Sequence, residues 1–296
     1  MNKYKQIFFY FLLILLITSV SIIAWSIFIE PNLLIIRNYE LNIPNWPNTL
    51  NGMKVAVITD LHVGSPFIGL KKVNQIVNMT NGEQPDLTLL LGDFVAHGKS
   101  HNAAEPRPSN PNINWDCIVR PVAFTNELSG LKAKLGVFAI LGNHDWWYDG
   151  NDVHNQLNKA NIRVLEDELI KLHFNGQAFY LVGLSDLWTR HPQPIALLAK
   201  ITDKEPILLL SHNPDIFPLI PERVSLTLAG HTHGGQVALP FIGPLVVPSR
   251  YGVRYARGHI VENGQHLFVS TGIGTSVLPI RFLTIPEISI LTLKSI

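Results

Sequence analysis

The chain has 296 residues, a formal net charge of +1, 47% hydrophobic residues and one cysteine. The near-neutral charge argues against an enzyme that holds nucleic acid on a broad basic surface, so we expect no nucleic-acid partner. The single cysteine excludes a framework of intrachain disulfides, and the length is enough for one large domain with a sizeable core.

An apolar segment opens the chain. Residues 6–29 carry no charge, and residues 7–29 are predominantly apolar over about 23 positions, which is enough to span a bilayer. We therefore predict one N-terminal transmembrane anchor over residues 1–30. A signal peptide is the alternative, because residues 7–17 have the length of an apolar signal region and Ser19-Val20-Ser21 offers a cleavage site between small residues.

The charges beside this segment predict its orientation. Lys3 and Lys5 precede the span, whereas only Arg37 follows it closely. Basic flanks tend to stay in the cytoplasm. The chain is therefore expected to cross the cytoplasmic (inner) membrane once, with the rest of the protein facing outward.

Residues 31–52 are predicted to link the anchor to the folded domain. Tyr39, Leu41 and Ile43 alternate with polar neighbours, as in a short edge strand, and prolines follow at positions 44 and 47. This linker and edge strand would hold the domain near the bilayer.

Residues 53–296 read as one α/β domain. Short apolar runs predict buried strands at residues 55–59, 87–91, 137–141, 207–210 and 226–229. Helical patterns at residues 70–79, 122–135 and 153–160 alternate with the strands. Each predicted strand ends at or just before a polar motif. The motifs should therefore meet at the carboxyl edge of the strands, where open α/β sheets bind ligands.

The polar motifs contain the residue types of a metal site. They are Asp60-Leu61-His62, Gly92-Asp93, Gly142-Asn143-His144-Asp145, His212 and Gly230-His231-Thr232-His233. Residues two apart in an extended segment point to the same side. This spacing predicts two pairs of ligands, or pincers, formed by Asp60 with His62 and by His231 with His233. Both pincers are expected to bind one metal centre. Mixed imidazole and oxygen ligands suit Mn, Zn or Fe, and Cys117 lies outside every motif.

In this order the motifs resemble the DxH, GD, GNH[DE], H and GHxH pattern of the calcineurin-like metallophosphoesterase superfamily. Membrane-associated bacterial phosphoesterases are the most similar members, and UDP-2,3-diacylglucosamine pyrophosphatases are a more distant analogy. The resemblance implies a two-sheet sandwich flanked by helices and a centre of two divalent metal ions. It assigns one ion to Asp60, His62 and His233, the other to Asn143, His212 and His231, and the bridging position to Asp93.

The implied activity is hydrolysis of phosphodiester or pyrophosphate bonds. Two divalent ions carry four positive charges, and the carboxylates of Asp60 and Asp93 carry two negative charges. Asn143 is neutral, so the site keeps a net positive charge and should attract phosphate. The resemblance gives His144 the role of electrostatic stabiliser or proton donor to the leaving oxygen. Asp145 is expected to orient the imidazole of His144.

Family members often carry an acidic residue three positions after the bridging aspartate, where this chain has Ala96. That position is not a metal ligand, so the metal assignment is unaffected. Some proteins of this fold have lost ligands and serve as binding scaffolds. This chain keeps every ligand, and a catalytically weak metal-binding scaffold is the alternative function.

Three further segments bear on the substrate. Residues 99–115 read as an inserted loop that either shapes the pocket entrance or is a solvated excursion. Residues 237–247 are apolar and broken by Pro and Gly, so they either receive an acyl chain or pack as a buried loop. Arg250, Arg254 and Arg257 either bind phosphate or form an exposed basic face. Together with the anchor, the apolar segment favours a lipid-linked or nucleotide-lipid substrate such as UDP-2,3-diacylglucosamine.

Overall fold

The computed structural model describes residues 3–96 and 119–296. Residues 99–115 and Cys117, discussed above, lie outside the described residues. The α-helices are α1 (Lys3–Ala24), α2 (Leu70–Gly82), α3 (Pro121–Leu128), α4 (Asn143–Lys159) and α5 (Pro194–Leu198).

The first sheet contains both ends of the folded domain. Its strands in spatial order are β1 (Ile35–Ile43), β14 (Glu287–Ser295), β2 (Met53–Ile58), β3 (Leu87–Leu90), β4 (Val137–Ala139) and β5 (Arg163–Val164). Strands β2 to β5 are parallel, and β14 runs antiparallel to β2. The edge strand β1 pairs in parallel with β14 along its whole length.

The second sheet has parallel strands at its centre and a hairpin at each edge. Its strands in spatial order are β12 (Gly258–Glu262), β13 (Gln265–Val269), β9 (Leu226–Ala229), β8 (Ile207–Leu210), β7 (Gln177–Gly183) and β6 (Glu168–Phe174). A separate two-stranded hairpin consists of β10 (Ala238–Leu239) and β11 (Gly243–Pro244).

The two sheets pack face to face and are covered by helices. Alternation in β2 explains the layers, because Val55 and Val57 face the second sheet, whereas Ile58 packs with Val73 of α2 and Leu157 of α4. Helix α5 covers the far side of the second sheet. The predicted two-sheet sandwich flanked by helices is therefore confirmed.

Helix boundaries differ most from the sequence-based expectations. Helix α3 ends at Leu128 rather than continuing to residue 135, because Ser129 and Gly130 follow it. Helix α4 begins at Asn143, ten residues before the predicted start at Val153. The pattern did not predict this start because the first turn is formed by a polar motif that carries no apolar periodicity.

Helix α1 continues through a π-helical turn (Trp25–Ile29) and a 3₁₀ turn (Glu30–Asn32). The combined segment Lys3–Asn32 contains an 18-residue stretch with a mean hydropathy of 2.7 and is long and apolar enough to cross a membrane, by length and composition alone. Its end is attached to the domain, since the Ser26 carbonyl accepts a hydrogen bond from the Arg281 N–H at 3.0 Å. The buried Glu30 carboxylate accepts another from the Thr284 N–H at 2.6 Å.

Candidate metal centre

The polar motifs of both sheets meet at one edge of the sandwich. Strands β2, β3 and β4 of the first sheet end just before Asp60, Asp93 and Asn143, whereas β8 and β9 of the second end just before His212 and His231. All five side chains are buried. The parallel strands therefore bring together residues that are far apart in the sequence.

The backbone at these motifs is left-handed rather than extended. The φ angles are 55° at Asp60, 47° at His62, 56° at Asp93, 70° at His231 and 51° at His233. Non-glycine residues in this region carry a cost of order 1–3 kcal/mol each and cluster at functional sites. Hydrogen bonds between the first two loops hold the conformation, with the Asp60 N–H donating to the Gly92 carbonyl and the His62 N–H to the Asp93 carbonyl, each at 3.0 Å.

The turn geometry divides the histidines of the last motif. His233 lies with Asp60 and His62 in one group of potential ligands, whereas His231 lies with Asp93 and His212 in another; within each group the ligand atoms are at most 4.8 Å apart. The expectation that two pincers grip one centre is therefore wrong. It assumed extended segments, and the left-handed turns send His231 and His233 to different groups.

Asp93 belongs to the group of His212 and His231 and also contacts His62 of the other group. Its Oδ2 atom is 3.5 Å from His62 Nε2 and 3.3 Å from His212 Nε2. Its other oxygen, Oδ1, accepts the His144 N–H at 2.9 Å. This carboxylate is consequently in contact with both groups.

Backbone carbonyls fix the orientation of three imidazoles. The carbonyl neighbours of Nδ1 are Val95 for His62 (3.3 Å), Leu91 for His212 (2.7 Å) and Gly274 for His233 (3.2 Å). Because a carbonyl oxygen only accepts, each Nδ1 must donate, which leaves the Nε2 lone pair free in the neutral rings of His62 and His233. Although burial lowers the pKa of His212, the adjacent Asp93 raises it to about 10, and His212 Nε2 faces this carboxylate. The Nε2 atoms of His62 and His233 are only 3.1 Å apart. Converging lone pairs of this kind suit a cation.

The electrostatics of the cluster also fit bound cations. Burial lowers the pKa of His62 and of His231 to about 3, so both imidazoles are neutral, as metal ligands must be. Burial raises the pKa of Asp60 to about 7. Asn143 Oδ1 and His231 Nε2 are buried and have no hydrogen-bond partner within residues 3–96 and 119–296. Divalent ions would satisfy oxygen and nitrogen donors and stabilise the carboxylates.

Close packing explains the glycine that precedes Asn143. A Cβ on Gly142 would lie 2.8 Å from His212 Cε1 and 2.7 Å from the backbone nitrogen of Asp93. Any larger residue would displace the aspartate or the histidine. This glycine therefore allows the loops of the two sheets to approach each other.

Asp145 does not orient His144, contrary to the sequence-based expectation. Its buried carboxylate accepts hydrogen bonds from the N–H groups of Gly142 (2.9 Å), Asp93 (2.9 Å) and Phe94 (2.8 Å). His144 Nδ1 has no hydrogen-bond partner in the described part of the chain. The carboxylate at the start of α4 is instead engaged by backbone donors, and it joins the loop after β3 to the loop after β4.

His144 lies beside both groups of potential ligands. Its ring contacts His62 edge-on at 4.6 Å between centroids, and Trp147 packs on it at 4.9 Å. Its ligand atom also lies within 4.8 Å of those of His62 and Asp93. The side chain is partly exposed and lines a cavity above the cluster.

This cavity has a volume of about 1040 Å³. Asp93, Asn143 and His231 line its polar part, and Trp147 and Trp188 form an aromatic wall. Trp188 contacts the His231 ring edge-on at 4.4 Å. The sequence motifs did not indicate either tryptophan, although Trp147 is three residues after His144 on a helix and Trp188 follows the carboxyl end of β7.

Most of the remaining cavity wall is apolar. Val237, Leu245 and Val246 contribute to it, as do Val277 and Leu278 of a neighbouring loop. Within the segment 237–247, only Ala238 is buried. The alternative that this segment packs as a buried loop is therefore wrong.

The arginines that follow this segment do not line the cavity. Arg254 makes two contacts with the Glu262 carboxylate, at 2.7 and 2.8 Å. Arg250 lies 3.7 Å from Asp215, and Arg257 donates to the Leu283 carbonyl at 3.1 Å. Of the two expectations, the exposed basic face agrees with the structure. Ala96, at the position that is often acidic in the family, is among the residues that line the cavity.

Residues 53–242 match the family model described as Calcineurin-like phosphoesterase. The chain belongs to this family. The phosphoesterase is 30% identical over 275 residues to the metallophosphoesterase YkuE of Bacillus subtilis (strain 168), covering 92% of this chain and 90% of YkuE. It is 31% identical to the phosphodiesterase YaeI of Escherichia coli (strain K12), covering 81% of this chain and 82% of YaeI.

A third relative is named for a reaction on a lipid-linked nucleotide sugar. The phosphoesterase is 26% identical over 323 aligned positions to the UDP-2,3-diacylglucosamine pyrophosphatase LpxG of Chlamydia trachomatis serovar D, covering 90% of this chain and 92% of LpxG. The resemblance drawn from the motifs is thus confirmed, and the protein is a metallophosphoesterase.

Proposed function

We propose that this protein uses two divalent metal ions to hydrolyse a phosphodiester or pyrophosphate bond in a lipid-linked or nucleotide-lipid substrate. The observation that carries the proposal is the arrangement around Asp93. This carboxylate belongs to one group of potential ligands and contacts His62 of the other, at the polar end of a cavity whose remaining walls are mostly apolar.

The proposed ligand set follows the two groups. One ion would be held by Asp60, His62 and His233, and the other by Asn143, His212 and His231, with Asp93 available to both. The unpartnered Oδ1 of Asn143 supports including this amide, although it carries no charge. Imidazole and oxygen donors favour Mn, Zn or Fe.

When bound, two such ions lower the pKa of a water molecule and neutralise phosphoryl oxygens during in-line displacement. The side chains of this chain set the charge of the site. Asp60 and Asp93 are its only proposed anionic ligands, so a net positive charge remains for a phosphate group. Asn143 preserves that charge because it contributes a neutral oxygen.

His144 is the proposed proton donor to the leaving oxygen. Its ring is held between His62 and Trp147, and its Nδ1 makes no hydrogen bond to the described residues. The packing fixes the ring beside the proposed metal site, where an imidazole can serve as a general acid.

The apolar walls support an acylated substrate. Leu245, Val246, Val277 and Leu278 line the cavity, and several of these side chains are largely exposed. LpxG, a relative that aligns with most of this chain, is named as a pyrophosphatase of a diacylated nucleotide sugar. UDP-2,3-diacylglucosamine is therefore our proposed example of the substrate class.

The same proposal includes retention of Lys3–Asn32 as a single-pass anchor in the cytoplasmic membrane. Lys3 and Lys5 before the span favour an outward-facing catalytic domain. Protease accessibility in spheroplasts checks this orientation, since an inward-facing domain would remain intact.

The substrate class is tested by comparing an acylated nucleotide diphosphate sugar with its deacylated counterpart in detergent micelles. We expect kcat/KM to be on the order of tenfold higher for the acylated compound, because burying even two methylene groups contributes enough binding energy. Leu278→Ser should reduce this preference. Ile195→Ser, which alters an exposed apolar residue of α5 away from the cavity, is the matched control. Equal turnover of the two compounds would refute the lipid substrate.

A further inference from the structure

The hairpin β10–β11 carries two large apolar residues at its tip. Phe241 is fully exposed and Ile242 is 72% exposed. Neither lines the cavity, whereas Leu245 and Val246 just beyond the hairpin do. The tip thus presents apolar surface to the surroundings that no described part of the chain covers.

A second exposed loop lies beside this hairpin. Val277 is 99% exposed, and the neighbouring Leu278 is also exposed. The Gln236 side chain joins the two elements, because it accepts the Ser276 N–H at 2.6 Å and donates to the Leu278 carbonyl at 3.1 Å. We call the set Phe241, Ile242, Val246, Val277 and Leu278 the apolar rim of the cavity.

The apolar rim is attached to the same segment as the end of the anchor. The Arg281 N–H donates to the Ser26 carbonyl at 3.0 Å. The next residue, Phe282, exchanges backbone hydrogen bonds with Gln236 and Ala238 at the base of the hairpin, each 2.8 Å long. Since consecutive Cα atoms are about 3.8 Å apart, the hairpin base and the last turns of the anchor are immediate neighbours.

The surroundings of the anchor end have the composition of a membrane interface. Trp25 lies in the last turns of the apolar helix. Tryptophan is enriched at the ends of membrane spans, where they meet the bilayer surface. Lys72 donates to the Asn32 carbonyl at 2.7 Å, and the exposed Arg257 donates to the Leu283 carbonyl at 3.1 Å. The nearby acid Glu30 is buried and accepts the Thr284 N–H. The half-buried Lys72 and the exposed Arg257 are cations of the kind that anionic lipid headgroups attract.

We propose that the apolar rim inserts into the bilayer that the anchor crosses, so that the cavity opens at the membrane surface. Apolar side chains of interfacial elements enter a bilayer by roughly 5–10 Å, a depth that a short hairpin tip can reach. Continuity with the anchor makes the lipid bilayer, rather than a protein, the occupant of this surface. The inference rests on the anchored enzyme proposed above, and it adds that an acylated substrate enters from within the same leaflet.

The insertion is tested on the full chain reconstituted in vesicles of phosphatidylcholine and phosphatidylglycerol. Cys117→Ser removes the one native cysteine, and a fluorophore is attached at Phe241→Cys, Val277→Cys or the control Leu219→Cys. Leu219 is 59% exposed but lies at the opposite edge, because its neighbour Ile220 contacts Gln265 at the start of β13. Nitroxide-labelled lipids then quench the fluorophores that contact the bilayer.

We expect quenching of about twofold or more at positions 241 and 277, and little at 219. Equal quenching at all three positions would overturn the proposal. So would protection of position 241 only after a protein partner is added, since that would make the rim a protein interface.

A functional measurement separates this inference from the proposed substrate. Phe241→Asp combined with Ile242→Asp should lower turnover of the acylated substrate in vesicles on the order of tenfold and leave turnover of a soluble bis-phosphodiester unchanged. An equal effect on both substrates would contradict the role of the rim. Equal turnover of acylated and deacylated substrates by the unmodified protein, with quenching still confined to the rim, would overturn the substrate proposal and support insertion.

Discussion

Replacement of Asp93 by alanine is expected to lower kcat/KM for a chromogenic bis-phosphodiester by at least about 10³-fold in the presence of Mn²⁺. Asp93 Oδ2 lies 3.3 Å from His212 Nε2 and 3.5 Å from His62 Nε2, so this one carboxylate serves both groups of potential ligands. Its removal would leave two cations without their shared anion. Steady-state hydrolysis at saturating Mn²⁺ measures the effect.

The matched control for this variant is Asp203→Ala. Asp203 is a partly exposed carboxylate that pairs with Lys171 at 2.7 Å, away from the motifs. We expect its removal to leave hydrolysis nearly unchanged. If Asp93→Ala retained more than a tenth of the original activity, the bridging assignment would be refuted. Metal binding by the unmodified protein without any turnover would favour the scaffold instead.

His144→Ala is expected to lower kcat by about 10²- to 10⁴-fold while both metal ions stay bound. The imidazole packs on His62 and Trp147 at the cavity and can give a proton to the leaving oxygen. The loss should be smaller for a substrate with a strongly acidic leaving group, which departs without protonation. Comparing nitrophenyl and alkyl phosphodiesters measures this difference.

His154→Ala is the control because His154 lies on the same helix, where its ring contacts Asn158, and it does not line the cavity. Elemental analysis accompanies both variants. His144 lies within 4.8 Å of ligand atoms on His62 and Asp93, so loss of a metal ion from His144→Ala would identify this side chain as a ligand. A leaving-group dependence equal to that of the unmodified protein would also contradict its role as an acid.

The sequence predicted the strands and the edge at which the site lies, because both depend on short apolar runs followed by polar motifs. Strands Ile207–Leu210 and Leu226–Ala229 have the predicted bounds. The start of α4 was missed since Asn143 and the residues after it lack an apolar stripe. Periodicity reports burial, and a helix that begins inside a polar site gives no such signal.

Residue spacing alone did not separate His231 from His233, although the family resemblance assigned them to different ions. Spacing alone predicts side-chain direction only when the backbone conformation is known, and here both residues adopt left-handed φ angles. The role of Asp145 was equally hidden, because its partners are backbone N–H groups up to 52 positions earlier in the chain. Sequence neighbours such as His144 are a poor guide to what a buried carboxylate contacts.

The apolar rim also depends on tertiary structure. The apolar character of residues 237–247 was evident from the sequence, but an apolar run is compatible with a core or with an exposed surface. The structure distinguishes the two, because the backbone of Phe282 holds the hairpin base beside the end of the anchor. Phe282 is about 45 positions after the hairpin base, and the adjacent Arg281 is about 250 positions after Ser26. Separations of this size are beyond the range of local sequence patterns.

The most direct test of the two-metal centre is the metal content of the full-length protein after saturation with Mn²⁺ and removal of free ions. The ligand groups around Asp60 and His212 predict two tightly bound ions per folded chain and magnetic coupling between them in electron paramagnetic resonance. A correctly folded protein that retains no metal, or only one ion, would contradict the proposed centre.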